Sequence, residues 1–176
     1  MSDESQARYK AHQARKAAEM KVILDRHSVR HFGTGPLPAD DLDQLLAAAE
    51  AAPSSCDRRG VTVRVITGRD EKALLGGILV GGVGWIHRAA AILMLFADPS
   101  AYGAPGELDD IDMPKLDAGF LGENILLAAS ALGLAACYCN PNIRQINRSH
   151  FKDVFQTDTP DAIFCGAVAV GQPNTE

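Results

Sequence analysis

Five consecutive residues, Arg26-His27-Ser28-Val29-Arg30, place two guanidiniums, an imidazole and a hydroxyl within one short stretch. A planar guanidinium presents paired N–H donors, which suits a phosphate better than the point charge of a lysine does. Set between two predicted helices, this cluster could hold an anion at the edge of a folded core. Taken alone, a basic cluster is ordinarily solvated surface. About two dozen residues later comes Ala52-Pro53-Ser54-Ser55, a second polar turn whose plainest use is to stop a helix.

Other chemistry-bearing residues form no recognisable set. His31, His87 and His150 are scattered, and no serine–histidine–acid group or carboxylate pair has a spacing that joins it, so no catalytic side chain is assigned. Among Cys56, Cys137, Cys139 and Cys165, only the middle two are close, and in a strand they would share a face. No CxxC or HxxxH pair accompanies them, so buried free thiols account for them better than zinc. The stretch Gly76 to Trp85 holds five glycines but lacks both the Gly-Lys-Ser/Thr ending of a Walker loop and a dinucleotide fingerprint. It reads as a flexible loop near a pocket mouth, with Trp85 either covering a ligand or plugging the core.

The elements that would position these groups follow from periodicity. Glu4 to Asp25 reads as a helix with Met20, Ile23 and Leu24 on its apolar side and solvated early turns. Gly33 to Pro38 cannot be helical. From Asp40, the residues Leu42, Leu45, Leu46 and Ala49 repeat at helical spacing, and Pro53 ends that helix. Val61, Val63 and Val65 alternate as in a strand with one face more buried. A short helix over Asp70 to Leu79 precedes the unbroken apolar run Ala89 to Ala97, which predicts a strand buried on both faces. Pro99 to Glu107 reads as loop. The helix from Pro114 to Leu132 is apolar almost all round and is capped by Gly133, the pattern of a helix through the core. Leu134 to Cys139 and Ala162 to Val170 complete the strands, and the mixed order points to an α+β fold.

Bulk properties narrow the classes. The 176 residues suit a single domain over 1–176 with a sizeable core. A net charge of −5 argues against a general nucleic-acid binder. The longest apolar stretch, Ile125 to Cys139, is interrupted by Ser130 and Gly133 and falls short of the ~20 residues a membrane helix needs. A polar N-terminus of mixed charge is not a secretory signal. The expectation is a cytoplasmic protein with no nucleic-acid or membrane partner.

RHSVRxF, a helix, APSSC and then a strand, in that order, resemble the FMN-dependent nitroreductase superfamily. Leu116-Asp117-Ala118-Gly119 through Glu123-Asn124-Ile125 to Leu132-Gly133-Leu134 looks like that family's central helix, and Gly171-Gln172-Pro173 is similar to its last strand ending. The likeness runs from about Arg26 to Pro173. It implies a nitroreductase-like α+β fold: a mixed or antiparallel central sheet flanked by helices, with a buried central helix, in a homodimer.

The resemblance also implies site residues. Arg26, His27, Ser28 and Arg30 match the flavin-binding basic segment, whose arginines engage the FMN phosphate. Pro53, Ser54 and Ser55 match a turn that contacts the flavin of the partner subunit. Cys139 and Asn140 match the strand end whose backbone lies beside flavin N5, and otherwise read as a buried strand end and turn. Arg144, just beyond, reads either as another anion contact or, better, as a surface charge at a helix start. Asp57 stands where the family commonly has asparagine; an ionised carboxylate accepts but cannot donate, so Asp57 is either a flavin contact or part of a surface CDRR segment. The chain also stops soon after Gly171, where relatives often continue with basic residues that close over the phosphate.

The implied activity is reduction of small, flat, electron-poor acceptors of the nitroaromatic or quinone type. NAD(P)H would deliver hydride to flavin N5, and the acceptor would then occupy the same open pocket. Two alternatives stand beside it: a protein of this fold whose weakened flavin site serves binding alone, and a specialised branch that dehalogenates, dehydrogenates or consumes its flavin.

Overall fold

The computed structural model describes residues 3–103, 112–155, 157–159 and 161–174. Nine regular elements follow in chain order: α1 (Asp3–Asp25), α2 (Ala39–Glu50), β1 (Val61–Ile66), α3 (Arg69–Ile78), β2 (Ala91–Ala97), α4 (Met113–Ala131), β3 (Ala135–Cys139), α5 (Arg148–Val154) and β4 (Ile163–Gly171). The four strands make one antiparallel sheet in the order β1-β2-β4-β3.

Alternation along β2 divides the core in two. Ala91, Leu93, Leu95 and Ala97 face a layer built from α2 and α4, with Leu45, Ala49, Leu121 and Ile125. Ile92, Met94 and Phe96 face the other way, onto Leu75 and Ile78 of α3, Phe151 of α5 and Phe155 just past its end. All seven β2 residues are buried. An interior strand covered on both faces has no polar side to show, which is why its sequence reads as one apolar run.

The end of α4 follows from one glycine. Gly133 has φ +71, and the N–H groups of Gly133 and Leu134 donate back to the carbonyls of Ser130 and Ala129 at 3.2 and 2.8 Å. This left-handed cap turns the chain straight into β3. A second special glycine, Gly166, sits where the β2–β4 register shifts, with φ +135. A Cβ there would lie 2.2 Å from the Tyr138 hydroxyl oxygen and 2.9 Å from the Cys139 carbonyl oxygen.

Several expectations need correction. Gly76 and Gly77 belong to α3, as the helix expected over Asp70 to Leu79 has them, and not to the loop read from Gly76 to Trp85; Gly76 is buried, its missing Cβ leaving room for Ile86 and His87. Helix α2 stops at Glu50, three residues before Pro53, where Arg59 donates to the carbonyls of Glu50 and Ala52 at 2.6 and 3.1 Å. Pro99–Tyr102 forms a 3-10 turn, and residues 104–107 of the expected loop lie outside the described residues. Helix α4 buries one face only; Leu116 and Phe120 on its other face are 46% and 40% exposed. Composition cannot separate a helix inside a chain's core from one with an outward apolar stripe. On α1, Met20, Ile23 and Leu24 are exposed, and Val22 is the half-buried residue, its carbonyl accepting from Ser130 Oγ at 3.2 Å. Cys56 is exposed, whereas Cys137, Cys139 and Cys165 are buried, all four as free thiols. Among the described residues no helix is long and apolar enough to cross a membrane.

Candidate functional site

The basic segment lies along the outer edge of β3. The Val29 N–H donates to the Ala136 carbonyl at 2.9 Å, so this edge strand holds the segment by its backbone. Arg26 is half-buried with its Nε 3.5 Å from Glu123 Oε1 of α4. His27, Ser28 and Arg30 are exposed, and His27 Nδ1 lies 2.9 Å from the Asp25 carbonyl. Between the end of α1, this segment and the start of β3 is a cleft of about 260 Å³, lined in part by Arg26, His27, Ser130 and Ala136.

Arg30 sits over Trp85, its guanidinium carbon 5.6 Å from the ring centroid. That ring stacks on Phe32, and its Nε1–H donates to the Gly81 carbonyl at 2.7 Å. Trp85 is therefore half-exposed, between the core and the basic segment. The loop carrying it is joined to the end of β3 by the Val80 N–H, which donates to the Asn142 carbonyl at 2.9 Å. A Cβ on Gly81 would lie 3.5 Å from both Cys139 Sγ and Asn140 Nδ2. Asn140 is exposed, and its Oδ1 accepts from the Asn142 N–H at 3.2 Å. Burial pushes the Cys139 thiol up to about 11; Cys137 adds to the shift and Arg30 opposes it. Arg30, Trp85, Cys139 and Asn140 thus share one neighbourhood.

The Pro53–Asp57 turn stands apart from it. Ser55 meets α4 at Asp117, whereas Arg26 meets it at Glu123. Six residues separate those points, about 9 Å along the axis and on different helix faces. Ser55 donates its N–H and its hydroxyl to Asp117 Oδ2 and Oδ1, each at 2.9 Å. Tyr102 adds a third hydrogen bond to Oδ2 at 2.9 Å, and Asp117 is completely buried. The turn is closed further by the Asp57 N–H to the Ser54 carbonyl and by the Arg59 N–H to Ser54 Oγ, at 3.0 and 3.1 Å. Asp57 is exposed and pairs with Arg59 at 2.6 Å. Cys56, Asp57 and Arg59 have φ of 52, 55 and 52°. Three side-chain-bearing residues in the left-handed region cost about 1–2 kcal/mol each.

Sequence reasoning assigned Asp117 no role. The signal was present: it lies on the same helical face as Leu121 and Ile125, a lone carboxylate on the buried stripe. Such a group is kept in a core only where donors meet it.

The donor set of the basic segment suits a dianionic phosphate, and the Cys139 thiol at the β3 end is buried and stays protonated at neutral pH. The fold of this chain, an antiparallel sheet between two helical layers, is shared by solved structures. The FMN-dependent nitroreductase from Clostridium difficile superposes with a TM-score of 0.74 at 20% identity, covering 89% of this chain and 88% of that one. The profile of the Nitroreductase family matches residues 23–83 and 78–172, and the chain belongs to that family. It is 30% identical over 116 residues to an FMN reductase (NAD(P)H) of Bacillus subtilis, covering 66% of this chain and 45% of that protein. A second relative from that organism, an FMN reductase (NADPH), is 24% identical over 167 residues, covering 88% of this chain and 65% of the relative. The chain therefore matches less than two thirds of the length of either.

Proposed function

We propose that the protein is an FMN-dependent oxidoreductase that takes electrons from NAD(P)H and passes them to small, electron-poor acceptors of the nitroaromatic or quinone type. The observation that carries this reading is the pair Arg26 and Arg30, held along the outer edge of β3 in a chain whose relatives are named for FMN and NAD(P)H. FMN, when bound, supplies the acceptance and donation of hydride. The protein's part is placement: Arg26, His27, Ser28 and Arg30 would hold the phosphate end, and the backbone at Cys139 and Asn140 would serve the reactive edge.

The functional unit in this reading is a homodimer. Pro53, Ser54, Ser55 and Asp57 serve the flavin held by the other copy, consistent with their separation from the basic segment within one chain. Leu116 and Phe120 on α4, with Met20 and Ile23 on α1, give that copy an apolar surface to cover. Helix α4 would then be buried on both sides, as its composition suggests.

A second reading, binding without catalysis, has one observation in its favour. The Asp57 carboxylate is engaged by Arg59, and both Ser55 donors are spent on Asp117. The visible spectrum of the purified protein, followed by FMN titration, separates the two. Absorption near ~450 nm or stoichiometric binding lost in Arg26→Ala/Arg30→Ala, together with NAD(P)H oxidation, supports the oxidoreductase. Bound flavin that NAD(P)H does not bleach selects the non-catalytic reading; a protein that ignores FMN removes the flavin site.

A further inference from the structure

We propose that Asp117 is a positioning residue, the buried anchor that fixes the Ser54–Arg59 turn in the one shape able to meet its ligand. The functional part of this rests on the flavin reading above. Two of the three hydrogen bonds to Asp117 come from Ser55, immediately before the strained residues Cys56 and Asp57. The third comes from Tyr102, whose ring packs on Gly60, immediately after Arg59; a Cβ on Gly60 would fall 2.5 Å from that ring. One carboxylate therefore grips the turn at both of its ends. An apolar residue at 117 would fill the space but would leave the Ser55 N–H and the Tyr102 hydroxyl without an acceptor. Left-handed residues persist where the surroundings over-determine them, and what this turn turns outward is Cys56, Asp57 and Arg58, all exposed. A loose turn would bind ligand only after reordering. Asp117 removes that step, which is preorganisation rather than contact.

The test uses the full chain in three variants. Asp117→Leu fills the space and removes both acceptors, leaving the Ser55 N–H and the Tyr102 hydroxyl unpaired. Tyr102→Phe removes only the bond that reaches the far end of the turn, leaving both Ser55 bonds intact. Ser55→Ala removes one bond at the near end and stands in should Asp117→Leu not fold. Iodoacetamide labelling of Cys56, quantified by mass spectrometry without ligand, reports the turn directly, since the other three thiols are buried. FMN titration then gives Kd, and the band shape of the saturated complex gives a spectroscopic signature. We expect Asp117→Leu or Ser55→Ala to change the Cys56 labelling rate severalfold, raise the FMN Kd about tenfold and alter the bound-flavin spectrum. Tyr102→Phe, which releases the far end alone, should move labelling and spectrum in the same direction by less. Unaltered labelling in a folded Asp117→Leu protein overturns the anchor. Altered labelling with unaltered Kd and spectrum overturns the link to ligand. If the wild type ignores FMN, the flavin reading fails, while the labelling still decides whether Asp117 holds the turn.

Discussion

Glu123 and Arg26 face each other at 3.5 Å, a carboxylate on α4 against the first guanidinium of the basic segment. The contact holds Arg26 near the cleft beside β3, and it also sets a negative charge where an incoming phosphate would need a positive one. A half-buried pair of this kind contributes at most ~1 kcal/mol. Glu123→Gln should therefore tighten FMN by up to about fivefold at low salt, the difference shrinking as salt rises. Fluorescence titration at two ionic strengths measures this. Weaker binding in the variant would mean that Glu123 orients Arg26 more than it competes for it.

Gly166 ties the sheet to the candidate site. Its φ of +135 and the 2.2 Å approach to the Tyr138 hydroxyl leave no room for a side chain. Gly166→Ala should cost at least about 2 kcal/mol in urea unfolding. Adding Tyr138→Phe should recover only part of that, because the ring carbon Cζ, which phenylalanine keeps, and the Cys139 carbonyl oxygen remain 2.5 and 2.9 Å from the new Cβ. Full recovery would show that the hydroxyl alone sets the constraint.

What could be read beforehand depended on whether the cause lay nearby in sequence. The interior strand β2 and the α4 cap at Gly133 are local patterns, and the structure has them where the sequence pattern puts them. In sequence Trp85 fits either core or ligand, because its neighbours, Phe32 and Arg30, lie more than fifty residues away. The three hydrogen bonds of Asp117 join residues 55, 102 and 117, a relation no local pattern carries. Outward stripes such as Leu116 and Phe120 look identical to core until the rest of the chain shows which face it covers.

That stripe yields a prediction about assembly. Leu116→Glu with Phe120→Glu places two charges on the surface proposed to meet the second copy, at positions already exposed in the single chain. The monomer fold should survive, since neither residue belongs to the buried face of α4. Light scattering at micromolar concentration should show monomer in place of dimer, and FMN binding should fall with it, because half of each site would be missing. A monomeric variant that still binds FMN as the wild type does would place the whole site within one chain.

The buried thiols predict how stability responds to alkali. Burial pushes Cys139 and Cys165 each up from 9.0 to about 11; Arg30 opposes the shift at Cys139, and the Ala97 backbone opposes it at Cys165. In the unfolded chain these thiols lose their protons near their ordinary value, while the folded chain retains them. Folded protein therefore binds more protons between about pH 9 and 11, and stability must fall as pH rises through that window. The steepest slope is ~1.4 kcal/mol per pH unit for each thiol. Tyr138, raised chiefly by burial, extends the fall at the alkaline end. Urea midpoints at pH 8, 9.5 and 10.5 should decline in the wild type and decline less in Cys139→Ala/Cys165→Ala. An equal slope in that double variant would move the alkaline sensitivity from the β3–β4 thiols to the tyrosines.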